Sequence, residues 1–261
     1  MWKIEEHILE TPYLKKNITR KIRVYLPNKY DIDDKAYPVV YFHDGKAVFY
    51  GSGPFGTGSW EVLDTVTRIE AEGKSEGYII VAMDNAEEER AIEYLPFKQS
   101  SSIKFGDEEI GGKAFEYAEF FVEKLMPFIA SKYRTAEASI IGSSMGGLVT
   151  AFIVSKYPDK FVKVGVFSIA SWVYKNNEFI DYLKTNKANK HMKYFVHVGT
   201  EEGHLANELE LAQIYVNDTI KYVRTLLELG VPIENIDLNV GVGDTHSERS
   251  WSKYVEQFLL F

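Results

Sequence analysis

The 261-residue sequence contains no cysteine. Disulfide frameworks, thiolate metal sites and a cysteine nucleophile are therefore excluded together. The chain also lacks any run of about 18 apolar residues, and Glu5 and Glu6 lie near its start, where a secretory signal would be basic and then apolar. We therefore expect a cytoplasmic protein with no membrane partner.

Positively charged residues are fewer than negatively charged ones. The 30 Lys and Arg residues face 38 Asp and Glu residues, which gives a net charge of −8. No basic run offsets this field, so nucleic acid is not expected as a partner. The histidines form no cluster with the spacing of metal ligands, and we expect neither a metal nor another cofactor.

The composition is that of a globular protein. Hydrophobic residues make up 45% of the chain and charged residues 26%, whereas aromatic residues reach an unusual 14%. This length suits one α/β domain, so residues 1–261 are interpreted as a single domain. Nothing in the sequence decides between a monomer and a homo-oligomer.

Short apolar runs recur along the chain. Each is too short for a buried helix, and together they predict strands buried on both faces of a mostly parallel sheet. Before these runs, two alternating segments predict an antiparallel pair, Trp2–Leu9 with Arg20–Leu26. The later predicted strands are Tyr37–Phe42, Tyr78–Met83, Ala138–Ile141, Val162–Ile169, Tyr194–Val198 and Ile236–Val240.

Segments with helical periodicity separate these strands. The clearest are 113–131, where Pro127 is expected to bend or end the helix, and 205–229. Repeated β-α alternation predicts a three-layer αβα sandwich around a central sheet of about eight strands. Only 171–190 offers room for a small cap, so no large cap domain is expected.

One motif points to chemistry. After the predicted strand that ends at Ile141, the residues 142–146 read Gly-Ser-Ser-Met-Gly, and a helical segment follows. A Gly-x-Ser-x-Gly string between a strand and a helix is typical of a nucleophile elbow, in which Ser144 would be the nucleophile. Only Ser144 has glycine two positions away on both sides. The alternative is a Gly-rich turn without catalysis, with a phosphate at the helix N-terminus.

A serine nucleophile requires a histidine that accepts its proton. Four histidines follow Ser144 in the chain. His191 lies in a polar segment, His197 lies inside an apolar strand, and His204 follows an acidic turn. His246 lies in a loop between the last predicted strand and the terminal helix, where folds with this elbow carry the base. We therefore predict His246 as the base.

The acid and the oxyanion donors are less well determined by the residues. Glu201 and Glu202 follow the strand before the last, and Asp244 lies beside the predicted base, so all three carboxylates are candidates. The backbone amide of Met145, directly after the nucleophile, should be one oxyanion donor. The loop at 43–46 should carry the second.

These segments together resemble the esterase D type family of α/β hydrolases. That group includes S-formylglutathione hydrolases, enterochelin esterases, feruloyl esterases and the antigen 85 mycolyltransferases. The resemblance covers most of the chain and implies the α/β-hydrolase fold. It rests on the elbow at 142–147 and on the segments 37–45, 90–96, 120–135, 168–172, 199–202 and 246–251.

The resemblance also assigns further site residues. In feruloyl esterases the acid ends a Gly-Thr-x-Asp string, which corresponds to Glu202 here, with Glu in place of Asp. The loop of the mycolyltransferases implies that the Lys46 amide is the second oxyanion donor. Trp60, Trp172 and Trp251 fall at positions that flank the nucleophile, so they are expected to line an aromatic substrate pocket.

Two charged residues on one matched segment leave a choice. Arg90 and Glu93 suggest either a buried ion pair beneath the site or a contact with the substrate.

The sequence thus predicts a serine carboxylic-ester hydrolase that needs no cofactor. Its substrate would be a small ester with a short acyl or an aryl group. An acyltransferase using the same acyl-enzyme, or a hydrolase-fold binding protein without catalysis, are the alternatives.

Overall fold

The structure is a computed structural model, and it describes residues 2–16, 18–50, 58–98, 110–203 and 209–261. Within these residues the strands lie close to the predicted apolar runs. They are β1 Lys3–Glu10, β2 Thr19–Leu26, β3 Tyr37–Phe42, β4 Ile79–Met83, β5 Thr135–Ser143, β6 Lys163–Phe167, β7 Lys193–Glu201 and β8 Ile236–Thr245.

The strands form one eight-stranded sheet in the order β1-β2-β4-β3-β5-β6-β7-β8. β1 pairs with β2, and β2 with β4, in the antiparallel direction. All other neighbours are parallel. Because parallel strands share a direction, the loops that follow β3, β5, β7 and β8 leave the same edge of the sheet. The mostly parallel sheet predicted from the sequence is confirmed.

Helices separate the strands in the chain. In the described residues they are α1 Val62–Ala71, α2 Arg90–Tyr94, α3 Ala114–Phe120, α4 Met126–Lys132, α5 Met145–Lys156, α6 Glu178–Lys184, α7 Leu209–Glu228, α8 Glu248–Ser252 and α9 Val255–Leu260. The predicted segment 205–229 therefore corresponds to α7, although residues 205–208 lie outside the described residues.

Two apolar cores cover the two faces of the sheet. One core includes Phe152 of α5 and Tyr222 of α7. The other includes Val66 of α1 and Phe258 of α9. The central strands β3 and β4 contribute side chains to both cores, as a sheet covered on both faces requires. The molecule is the expected three-layer sandwich.

Pro127 does not end its helix. A π-helical turn at Phe121–Leu125 joins α3 to α4, and Pro127 occupies the first turn of α4. A proline lacks the N–H that would bond to the carbonyl four residues earlier, and the wider turn before it changes that bonding pattern. The helix therefore continues to Lys132.

The segment between β6 and β7 holds only short helices. Two 3-10 turns precede α6, which has seven residues. Among the described residues this insertion is too small for a cap domain. None of the helices that the structure describes has the length and apolar character needed to span a bilayer.

Candidate active site

Four strand ends bring the predicted site residues to one edge of the sheet. The loop 43–46 follows β3, Ser144 follows β5, Glu202 follows β7, and His246 follows β8. Ser144, Glu202 and His246 are all buried, with 4%, 0% and 3% of their surface exposed. The crevice at the carboxyl ends of parallel strands is where open α/β sheets bind their ligands.

The backbone of Ser144 is strained. Its φ of 59° and ψ of −126° lie outside the regions that side-chain-bearing residues favour. The glycine positions two residues before and after it have no room for a side chain. A Cβ on Gly142 would lie 2.4 Å from the carbonyl oxygen of Gly146, and a Cβ on Gly146 would lie 2.9 Å from Oδ2 of Asp44. The strand-to-helix turn thus has the sterics of a nucleophile elbow.

Glu202 is bonded at both oxygens. Its Oε2 lies 2.6 Å from Nδ1 of His246. Its Oε1 accepts from Ser168 Oγ and from the Gly199 amide, each at 2.6 Å, and Trp251 Nε1 donates to the same Ser168 Oγ at 2.9 Å. A carboxylate at Nδ1 holds the proton there, so Nε2 of His246 is the ring nitrogen that can accept another.

The two other candidate acids lie elsewhere. Asp244 Oδ2 accepts from Tyr254 at 2.8 Å and lies 3.4 Å from Nε2 of His197, while its Oδ1 pairs with Lys253. Glu201 is the last, exposed residue of β7. Of the three carboxylates, Glu202 is the one bonded to His246.

The remaining histidines also separate clearly. His197 is fully buried within β7, and burial lowers its pKa from the ordinary value. His191 is exposed, and His204 lies outside the described residues. Among the histidines that follow Ser144 in the described part of the chain, His246 is therefore the one bonded to Glu202.

The loop after β3 has an unusual backbone of its own. Asp44 adopts the left-handed conformation, with φ 54° and ψ 48°. The Arg90 guanidinium clamps its carboxylate at both oxygens, with Nε 2.6 Å from Oδ1 and Nη2 2.8 Å from Oδ2. A Cβ on Gly45 would lie 2.6 Å from the backbone carbon of Met83, so the loop packs directly on the end of β4.

This clamp resolves the choice left open for Arg90 and Glu93, which do not pair with each other. Arg90 binds Asp44, whereas Glu93 accepts from Arg20 and from the Tyr13 hydroxyl, each at 2.7 Å. Burial raises the pKa of Glu93, which is fully enclosed. Both pairs are structural, and the Arg90 pair holds the loop that carries Lys46.

In the part of the chain that the structure describes, the backbone amides of the two predicted oxyanion donors have no hydrogen-bond acceptor. Met145 is the first residue of α5, where a helix leaves its N–H groups without intrahelical partners. Lys46 lies in a single 3-10 turn, and its side chain reaches outward to Glu87. Within the described part of the chain, neither amide donates a hydrogen bond to another residue. Both remain available to a bound oxygen.

The tryptophans differ from the expectation of three pocket walls. Trp60 and Trp251 are 2% and 0% exposed and stack on each other with ring centroids 5.5 Å apart. Trp251 also meets His246 edge-on at 5.0 Å. These two rings therefore fill the core beneath the site and do not line a substrate pocket. Their burial stabilises the fold. Trp172 is half-buried and can still border a pocket.

Two site residues were not assigned a role from the sequence. Ser168, with a positive φ of 46°, links Trp251 to Glu202. Tyr215 of α7 places its ring 4.7 Å from that of His246. Tyr215 falls on the apolar face of an amphipathic helix, so the pattern gave no signal that separated it from a core residue.

Comparisons with known proteins identify the family of the chain. A family model described as "Putative esterase" matches residues 14–256. The uncharacterized protein YbbA of Bacillus subtilis (strain 168) is 26% identical over 240 residues, which are 90% of this chain and 88% of YbbA.

Solved structures show the same fold. An IroE-like serine hydrolase from Shewanella oneidensis has a TM-score of 0.76 at 19% identity, and the match covers 100% of this chain and 79% of that hydrolase. The siderophore hydrolase EstA from Aspergillus nidulans has a TM-score of 0.77 at 19% identity, with 98% and 94% covered. The fold is therefore that of the α/β hydrolases. Because the family model spans nearly the whole chain, the protein belongs to the esterase family and is a carboxylesterase.

Proposed function

We propose that the protein is a serine carboxylesterase whose catalytic triad is Ser144, His246 and Glu202, and that it acts on short-chain acyl or aryl esters. The observation that carries the proposal is the buried 2.6 Å bond between Glu202 and His246, at the sheet edge where Ser144 is held in a strained turn. A solvated histidine or an ordinary glycine-rich turn would need neither feature.

Acylation begins when the hydroxyl of Ser144 loses its proton to Nε2 of His246 as Oγ attacks the ester carbonyl carbon. Glu202 stabilises the imidazolium through Nδ1 and does not take the proton itself. The imidazolium then gives its proton to the departing alkoxide, and an acyl-enzyme on Ser144 remains. Water, activated by the same imidazole, releases the acid and restores the hydroxyl.

The carbonyl oxygen becomes negatively charged in each tetrahedral intermediate. The amides of Met145 and Lys46 are the proposed donors to that oxygen, and one such donor is worth about 3–4 kcal/mol in a site shielded from water. The clamp of Arg90 on Asp44 fixes the loop before the substrate arrives, so the donors need no rearrangement during the reaction.

The described surroundings of Ser144 support the proposed substrate class. Trp172 borders the site and meets Tyr215 edge-on, with ring centroids 5.7 Å apart. Aromatic walls favour flat or small acyl groups. A solved structure described as a ferulic acid esterase has a TM-score of 0.65 at 20% identity, which makes hydroxycinnamate esters a reasonable part of the panel.

The test uses p-nitrophenyl acetate, p-nitrophenyl butyrate and methyl hydroxycinnamates with the variants S144A and S143A. Ser143 is the adjacent buried serine at the end of β5, so S143A is the matched control. We expect S144A to lose at least about 10³-fold in kcat/KM and S143A to remain active. A fluorophosphonate should label Ser144 alone.

Turnover by S144A at the wild-type rate, or a label on another residue, would contradict the proposal. Product analysis with an added alcohol separates hydrolysis from acyl transfer, because a transferase would form the new ester in place of the free acid.

A further inference from the structure

Ser168 is a buried serine that contacts the proposed acid and is not a member of the triad. It follows β6, and 0% of its surface is exposed. Its Oγ lies 2.6 Å from Oε1 of Glu202 and 2.9 Å from Nε1 of Trp251. Its φ of 46° is in the left-handed region, which a residue with a side chain adopts only at a cost in energy. The fold thus holds this hydroxyl in a strained position at the oxygen of Glu202 that is not bonded to His246.

The chemistry of the three groups fixes the direction of these hydrogen bonds. An indole N–H can only donate, so Trp251 donates to Oγ of Ser168. An ionised carboxylate can only accept, so the single proton of the Ser168 hydroxyl is directed at Glu202. The indole also meets the His246 ring edge-on, with ring centroids 5.0 Å apart. Trp251 therefore orients the hydroxyl while it packs against the base.

The backbone around Ser168 is bonded to the backbone of the nucleophile. The Ser144 amide donates to the carbonyl of Phe167 at 2.9 Å, and the amide of Ala170 donates to the Ser144 carbonyl at 3.3 Å. Ser168 lies between these two residues, and its own amide donates to the carbonyl of His197 at 2.7 Å. One short segment therefore contacts both the backbone of the nucleophile and the carboxylate of the acid.

The second donor to Oε1 of Glu202 has a different origin. It is the Gly199 amide, at 2.6 Å, which precedes Glu202 by only three residues and so holds the carboxylate to the end of its own strand. The bond from Ser168 comes from the end of the neighbouring strand β6 and ties the carboxylate to the segment that contacts Ser144. An error of about 1 Å in the position of a catalytic group can cost about 10²-fold in rate. The bond between the two strand ends is therefore the one that can set the position of the acid relative to the nucleophile.

We propose that Ser168 is a positioning residue of this esterase: its hydroxyl holds the carboxylate of Glu202 so that Oε2 meets Nδ1 of His246. The inference rests on the proposed function, since it takes Ser144, His246 and Glu202 as the triad. A carboxylate bonded at both oxygens cannot rotate away from the imidazole, so the ring proton stays on Nδ1 and Nε2 remains the acceptor for the Ser144 proton. Ser168 keeps its own proton throughout the reaction.

The test removes the hydroxyl in two backbone settings. S168A keeps a Cβ in the left-handed conformation, whereas S168G relieves that strain, so the two variants share only the lost donor. Ser171 is a buried serine whose Oγ donates to the carboxylate of Asp218 at 2.8 Å, so S171A is the matched control. Rates are expressed per Ser144 labelled to completion by a fluorophosphonate. We expect kcat for p-nitrophenyl acetate to fall at least about fivefold in both Ser168 variants, with KM within about twofold, and S171A to stay within about twofold of wild type.

A double-mutant cycle with E202Q separates positioning from a general loss of packing. If Ser168 acts through the carboxylate, S168A should cost less than about twofold in kcat once Glu202 is glutamine. A serine with a purely structural role would cost the same factor in both backgrounds, because independent effects multiply.

The inference is overturned if either Ser168 variant falls less than about fivefold in kcat, if S171A falls as far as S168A does, or if S168A costs as much in E202Q as in wild type. Full activity of S144A or of E202Q would instead overturn the proposed function, whatever the Ser168 variants do.

Discussion

The variant Glu202→Gln replaces the buried carboxylate by an amide of nearly the same shape. The structure indicates how the amide must sit. Both groups at Oε1, the Gly199 amide and the hydroxyl of Ser168, donate to it at 2.6 Å. The single oxygen of glutamine is therefore drawn to that position, and its NH2 group is left facing Nδ1 of His246.

This orientation reverses the hydrogen bond to the histidine. An NH2 group can only donate, so Nδ1 of His246 becomes the acceptor and the ring proton moves to Nε2. An Nε2 that already carries a proton cannot take one from Ser144. In a serine protease triad, the equivalent exchange of the acid for its amide costs about 10⁴-fold in kcat, which corresponds to about 5.5 kcal/mol.

Turning the amide over would not rescue the enzyme. The NH2 group would then face the Gly199 N–H and Ser168, which would lose an acceptor that is worth about 1.5–3 kcal/mol to each donor when charged. We therefore expect E202Q to fall by at least about 10³-fold in kcat/KM.

The assay is hydrolysis of p-nitrophenyl acetate by folded protein, with E201Q and D244N as controls. Glu201 is exposed, and Asp244 is bonded to Tyr254 and Lys253, so both variants should stay within about threefold of wild type. The reasoning is refuted if E202Q keeps more than about a tenth of the activity, or if D244N loses more than E202Q does.

Three further predictions concern the framework of the site. Burial lowers the pKa of His43 from 6.5 to about 3, so below about pH 6.5 the unfolded protein binds a proton at His43 while the folded protein does not. Between about pH 7 and pH 5, wild type should therefore lose about 2 kcal/mol more unfolding free energy than H43N in urea titrations. Equal losses in the two proteins would contradict this prediction. In G142A the new Cβ would lie 2.4 Å from the Gly146 carbonyl oxygen. We therefore expect the protein to be about 1–3 kcal/mol less stable and a fluorophosphonate to label Ser144 more slowly. Unchanged labelling would show that the turn can open to admit the side chain. R90M leaves the buried Asp44 charge without its charged partner and should lower the free energy of unfolding in urea by about 3–5 kcal/mol. The double variant R90M/D44N should lose less stability. A larger loss in the double variant would argue against the clamp.

The elements that the sequence predicted well are those with a local cause. The apolar runs of β3 and β4 are too short for helices and apolar on both sides, so burial between two helical layers is their stable state. Ser144 is equally local, because the two glycines around it reflect a turn in which no Cβ fits. Such features depend on neighbours within a few residues of the chain.

The choice of acid could not be made in this way. Glu201 and Glu202 are adjacent and identical in type, and alternation along the chain is all that separates them. At the end of β7 one carboxylate points outward and the other points into the protein. Which of them meets His246 depends on the register of β7 against β8, which pairs residues about 40 positions apart.

The tryptophans show the same limit. Trp251 and Trp60 are distant in the chain, yet they stack on each other beneath the site. Pro127 likewise predicted a bend or an end of its helix from the local sequence, but the helix continues past it because a π-helical turn precedes it. Tyr215 matched the apolar period of its helix, and only the packing of α7 against His246 gave it a place near the reaction.

The sequence alone therefore determined the fold class, the position of the proposed nucleophile and the esterase type of chemistry, because periodicity, the steric demand of the elbow and the absence of cysteine are properties of short stretches. The tertiary structure decided which acid bonds to His246, what Arg90 holds, and which aromatic rings surround the imidazole. Those are distances of a few ångströms between side chains from different strands and helices, and they exist only once the sheet has fixed the order and register of its strands.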